Sequence, residues 1–88
     1  MNENAGFSKG TWSKGFIRGK NGMVFSYAVK HYGTGSEWGI DGGKISKLEM
    51  RRIDGRTMVL YERGWTHKPD TSNEGLISAY SELLRRFN

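Results

Sequence analysis

The sequence predicts an α+β domain in which an antiparallel sheet of about five strands, running as a β-meander, is covered on one face by a single C-terminal helix. Three observations predict it. Asn21-Gly22 and Asp54-Gly55 each separate two runs that alternate apolar and polar residues, the pattern of a β-hairpin. Asp41-Gly42-Gly43 supplies a further tight turn between them. After Pro69 the period changes, and Leu76, Ile77, Tyr80, Leu83, Leu84 and Phe87 recur at helical spacing as one apolar stripe. A helix cannot bury that stripe alone, and the only large apolar surface on offer is one face of the sheet. The other face is left to water or to a partner.

Residues 1–10 are small and polar around Phe7 and are expected to form a flexible tail, which leaves 11–88 as a single β-β-β-β-β-α domain. The first hairpin spans 11–32. With Asn21 and Gly22 as a two-residue loop, Arg18 faces Phe25, Phe16 faces Tyr27 and Trp12 faces His31. Strand side chains alternate, so Trp12, Phe16, Met23, Phe25, Tyr27 and Val29 would share the core face, with Ile17, Val24 and Ala28 on the other. The opposite orientation would expose Lys14, Arg18, Trp12, Phe16, Phe25 and Tyr27, a far better platform for nucleic acid. Function therefore turns on which way these strands face.

Residues 36–40 read as a short strand, and 44–53 with 56–65 as the next hairpin. Its register sets Met50 opposite Val59 and Leu48 opposite Tyr61 on one face, and Lys47 opposite Glu62 and Arg51 opposite Met58 on the other. Ile45 falls out of phase with Leu48 and Met50, which a bulge near Ser46-Lys47 would reconcile. Gly64 marks a bend, and Pro69, with no amide to donate, ends the sheet. Thr71 and Glu74 have the spacing of a capping box at the start of the helix. Glu74 near its start and Arg85 and Arg86 near its end complement the dipole, and Glu82 stands four residues before Arg86.

A chain of 88 residues buries a thin core. It has no cysteine, which excludes disulfides, thiolate metal sites and cysteine nucleophiles. The first residues lack an apolar run, so neither a signal peptide nor a membrane span is expected, and the cytoplasm is the expected compartment. Fourteen lysines and arginines against nine acids give a formal charge of +5, an excess that attracts polyanions.

Little in the chain points to catalysis. His31 and His67 are the only histidines, no acid stands at a ligand spacing from either, and a metal site needs three or four convergent ligands. No serine sits in a nucleophile elbow. The glycine-rich run 39–44 lacks both the Gly-Lys-Ser/Thr ending and the following helix of a phosphate loop, and reads as a hairpin turn. No catalytic residue, metal or cofactor is expected.

The expected function is that of a non-enzymatic interaction domain binding single-stranded nucleic acid through a basic sheet face. Lys44, Lys47, Arg51, Arg52, Arg63 and Lys68 would track phosphates while Trp38 stacks on a base. The interleaved signs of Lys47, Glu49 and Glu62 equally suit a solvated strand face, and Trp38, Tyr61 and Trp65 equally suit core or edge packing. Two alternatives stand beside it. One is a protein–protein adaptor, or an antagonist of a host protein, anchored by Trp38 and Trp65. The other is a small RNA-cleaving toxin using His31 or His67.

Residues 36–48, Ser-Glu-Trp-Gly-Ile-Asp-Gly-Gly-Lys-Ile-Ser-Lys-Leu, followed by Tyr61-Glu62-Arg63-Gly64-Trp65, resemble the signature of a family of small uncharacterised bacterial proteins, often from phages, plasmids and other mobile regions. The resemblance runs from Trp12 to the last helix. It implies a bacterial, cytosolic setting and a mobile-element role, and carries over no catalytic or binding residue.

Overall fold

A computed structural model describes residues 10–88; the tail expected over 1–10 lies, Gly10 apart, outside the described residues. Five strands follow one another as β1 (Thr11–Arg18), β2 (Val24–His31), β3 (Ile45–Arg52), β4 (Thr57–Glu62) and β5 (Trp65–His67), and one helix, α1 (Glu74–Phe87), closes the chain. The strands lie in the sheet in that order, each antiparallel to the next. The architecture is the α+β meander with a C-terminal helix that the pattern predicts.

The core lies between the sheet and α1. Phe25 and Val29 of β2, Leu48 and Met50 of β3 and Val59 of β4 meet Leu76, Ala79 and Leu83 of the helix, and all are fully buried. Burial on this scale is the main force holding the two layers together. The helix lies along β2. The Phe87 ring stands 6.1 Å from that of Tyr27 and 4.8 Å from that of His31, while Tyr80 reaches Trp65 at 6.1 Å. Glu82 accepts from Arg86 Nε at 2.9 Å, as its spacing predicts, and from Arg85 as well; both bonds hold its carboxyl down at about 2.

The helix starts with a different cap from the one expected. Asn73, not Thr71, accepts from the Leu76 amide, at 3.0 Å. Asp70 has already gathered the Ser72 amide and hydroxyl, at 2.9 and 2.7 Å, into a turn of its own, so the helix begins after it.

The strand expected at 36–40 is also absent. The Ser36 amide donates to the Gly43 carbonyl, Gly39 to Ser36, Gly42 to Gly39 and Gly43 to Ile40, so the segment folds into a compact loop with a 3₁₀ turn at Ile40–Gly42. The backbone packs on itself there, and a Cβ on Gly39 would overlap the Gly43 carbonyl oxygen. Asn88 ties the loop to the end of the helix, accepting from the Ile45 amide at 2.9 Å and donating to the Ile40 carbonyl at 3.1 Å. The fifth strand is instead β5, formed after a turn at Arg63 and Gly64 in which Arg63 takes φ 59°.

Both hairpins turn through three residues rather than two. In the first, Gly19 donates to the Met23 carbonyl at 2.7 Å around Lys20-Asn21-Gly22, and Asn21 and Gly22 take the positive φ their chemistry favours. Every pair of β1 and β2 shifts by one residue as a result: Ile17 faces Phe25, Phe16 faces Ser26 and Trp12 faces Lys30. This overturns the expected core face of β1, because a one-residue slip exchanges the two faces of a strand. The helix side of β1 now carries Thr11, Ser13, Gly15 and Ile17, small enough for the Tyr27 ring to lie over Gly15. Trp12 and Phe16 would not fit there.

In the second hairpin Arg52 donates to the Arg56 carbonyl around Ile53-Asp54-Gly55. A bulge at Met58 makes up the extra residue, so Arg51 pairs with Thr57 instead of Met58, while Met50–Val59, Leu48–Tyr61 and Lys47–Glu62 stand as expected. The bulge expected near Ser46 is present too, between the Lys30–Lys47 and His31–Ile45 pairs, and it turns Ile45 into the core.

Candidate functional site

The sheet face turned away from α1 is the candidate site. Its residues follow from the registers and form rows across the strands. One row is Trp12, Lys30, Lys47 and Glu62, and the next is Lys14, Ala28, Glu49, Leu60 and His67. A third carries Phe16, Ser26 and Arg51. Neighbours within a row stand about 5 Å apart and successive rows nearly 7 Å apart.

Two features separate this surface from an ordinary solvated face. The first is its rings: Trp12 is 50% and Phe16 71% exposed, although both are large apolar side chains that a core would accept. They lie on one strand four residues apart, about 13 Å along it, with Lys14 between them and Arg18 beyond. The second is a hollow of about 450 Å³ lined by Trp12, Lys14, Ala28, Lys47, Glu49 and Glu62 among others. It exists because β2 contributes only Ala28 to that row, between long side chains on either side.

The cations of this face are Lys14, Arg18, Lys30, Lys47 and Arg51, against Glu49 and Glu62. Arg51 is held by Glu49, its Nη2 2.8 Å and its Nε 2.9 Å from Oε2. Among the described residues, no acid lies within ion-pair distance of Lys14, Lys30 or Lys47, and Glu62 forms no ion pair with the Lys47 opposite it. The potential over the face is therefore positive on the β1–β2 side and mixed toward β4.

The residues expected to bind are only partly brought together. Lys47 and Arg51 stand on the open face. Arg52 does not: it pairs with Phe25 on the helix-facing side at the end of the sheet and is tied to Asp54 at 3.2 Å. Trp38 and Arg63 form a separate pair, the guanidinium 5.2 Å from the ring centroid and the ring half exposed, on the loop anchored by a 2.8 Å bond from the Tyr61 hydroxyl to the Trp38 carbonyl. Lys44 and Lys68 are exposed in loops beside β3 and β5. Trp12, Lys14, Phe16 and Arg18 reach the open face as the opposite orientation of the first hairpin would have them, whereas Phe25 and Tyr27, the other members of that alternative, stay on the helix side. Lys30 is the residue neither orientation named, and the signal that decides the face of β1 is the length of the first loop.

The two histidines stand apart. His31 faces the helix, with Nε2 3.0 Å from Ser13 Oγ and its ring against Phe87, whereas His67 stands on the open face opposite Leu60. Among the described residues no three His, Cys, Asp or Glu side chains converge as a metal site, and no helix is long and apolar enough to cross a membrane.

Fold and face together define a small meander-plus-helix domain with one covered and one open sheet surface. Residues 11–88 match the model of a family described as a domain of unknown function, DUF7678, and the chain belongs to that family. No curated protein and no solved structure matches the chain.

Proposed function

We propose that the domain is a non-enzymatic binder of single-stranded nucleic acid, acting in a bacterial cytoplasm and using the open face of its sheet. The observation that carries this reading is the run Trp12-x-Lys14-x-Phe16-x-Arg18 along one exposed strand face. Bases stack on exposed rings irrespective of sequence, at about 1–3 kcal/mol each, while alternating cations follow the phosphates. Lys30, Lys47 and Arg51 extend the cationic track across two further strands.

Titrating labelled single-stranded and duplex oligonucleotides at two salt concentrations tests the reading. Single strands should bind more tightly, with affinity falling steeply as salt rises. Trp12→Ala with Phe16→Ala should weaken binding at least tenfold. Absence of binding at micromolar protein in low salt sinks the proposal.

The pairing of Trp38 with Arg63 supports a second reading, a protein adaptor, since half-exposed aromatics with arginine are the residue types that dominate protein interfaces. A partner retained after nuclease treatment and lost in Trp38→Ala would favour it.

A further inference from the structure

Two carboxylates on a face proposed to bind phosphates call for a reason. Glu49 has one: its Oε2 holds Arg51 in place on the face. Glu62 has no ion-pair partner among the described residues, yet it lines the same hollow as Trp12, Lys14 and Lys47. A carboxylate there repels the sugar-phosphate backbone and offers two acceptor oxygens to whatever fills the hollow. The hollow, about 450 Å³, has the size of a small-molecule site (about 300–1,000 Å³). Trp12 and Glu62 stand at opposite ends of the row that also holds Lys30 and Lys47, about 14 Å apart across the strands, and both line the hollow that opens beside that row over Ala28, a span that an indole ring, one base and a glutamate side chain together cover.

Bases differ in what they offer a carboxylate. Guanine presents two adjacent donors on its Watson–Crick edge, the ring N1–H and the exocyclic N2–H, which match both oxygens at once. Adenine and cytosine offer one exocyclic amine beside an acceptor nitrogen, and thymine or uracil one N–H between two carbonyls. Bases in single strands are free to be read on this edge. We infer that the hollow is a guanine-selecting subsite, in which one base lies against Trp12 and its donor edge meets Glu62. This rests on the single-strand reading above and adds a preference to it.

The test uses the full chain and labelled oligothymidylates of one length that carry a single central guanine, adenine, cytosine or hypoxanthine, at fixed salt. The guanine strand should bind about tenfold more tightly than the adenine or cytosine strand, the scale of a bidentate base contact. Hypoxanthine, which lacks the 2-amino group, should lose most of that gain. Glu62→Gln should abolish the preference while strengthening binding to plain oligothymidylate, a sign that unfolding cannot mimic. Equal affinity for all four strands overturns the subsite and leaves single-strand binding standing. Absence of binding to every strand overturns both. A preference that survives Glu62→Gln also overturns the assignment.

Discussion

The β1–β2 and β3–β4 hairpins close through loops of the same length and reach opposite results. Each closes around three residues, one more than the Asn-Gly or Asp-Gly dipeptide suggests. An extra loop residue exchanges the faces of one strand relative to its partner unless something restores the phase. In β3–β4 the bulge at Met58 restores it, and Val59 and Tyr61 stay on the helix side. In β1–β2 nothing does, so Ile17 enters the core while Trp12 and Phe16 turn outward. The surroundings differ as well. The second loop projects into solvent, with Ile53 71% exposed and nothing near a Cβ on Gly55. The first is docked: Lys20 donates its amide to Ser78 Oγ, and Gly19 and Gly75 are pressed so close that a Cβ on Gly19 would overlap the Gly75 carbonyl oxygen. The outward chemistry of β1 thus follows from a loop held in place by the helix.

The largest effects should come from testing the register itself. Ile17→Ala empties a buried position and should cost about 2–5 kcal/mol, whereas Phe16→Ala, at an exposed one, should stay within about 0.5 kcal/mol. Urea denaturation of both variants would check this, and the reverse ranking would restore the two-residue loop. Next in size is the contrast between loop glycines. Gly19→Ala drives a methyl group into helix backbone that cannot yield and should cost about 3 kcal/mol. Gly55→Ala pays only for a left-handed φ of 91° in open space, about 1 kcal/mol. Equal losses in the two melts would mean that the first loop is not docked.

Much of this fold was legible because its signals are redundant. The helical stripe, the turn glycines and the alternation of Leu48, Met50, Val59 and Tyr61 all point the same way, and the out-of-phase Ile45 marks the bulge beside it. What stayed hidden depended on single residues. Whether Asn21-Gly22 closes a loop of two or three is decided by packing against Gly75 and Ser78, more than fifty residues away. That one residue separates a buried Trp12 and Phe16 from an exposed pair, and with them most of the candidate site. Lys47 and Arg51 were legible because they lie in the hairpin whose phase is restored. Trp38 and Arg63 met each other in a loop fold that glycine content does not specify.

A smaller effect should come from the cap. Asn73→Ala removes the bond to the Leu76 amide and should cost about 1 kcal/mol, while Thr71→Ala should cost close to nothing. Because the first loop rests on this end of the helix, hydrogen exchange in Asn73→Ala should quicken at the Gly19 and Lys20 amides and remain unchanged at the Arg52 amide. Uniform quickening would show that both loops report only global stability.

The smallest effect belongs to Asp54, which shapes the second loop alone. Its carboxylate accepts from the Arg56 amide at 3.1 Å and pairs with Arg52 at 3.2 Å, both in the open. Exposed bonds of this kind contribute little, so Asp54→Ala should lower stability by about 0.5 kcal/mol or less in the same urea titration. Its value lies in what should not follow. The phase of β4 is set by the bulge at Met58, beyond the loop, so loosening the turn leaves Val59 and Tyr61 facing the helix and Leu60 and Glu62 facing out. Oligonucleotide affinity and base preference should then match those of the unmodified chain. A changed preference in Asp54→Ala would mean that the second loop, like the first, governs which side chains its strands present.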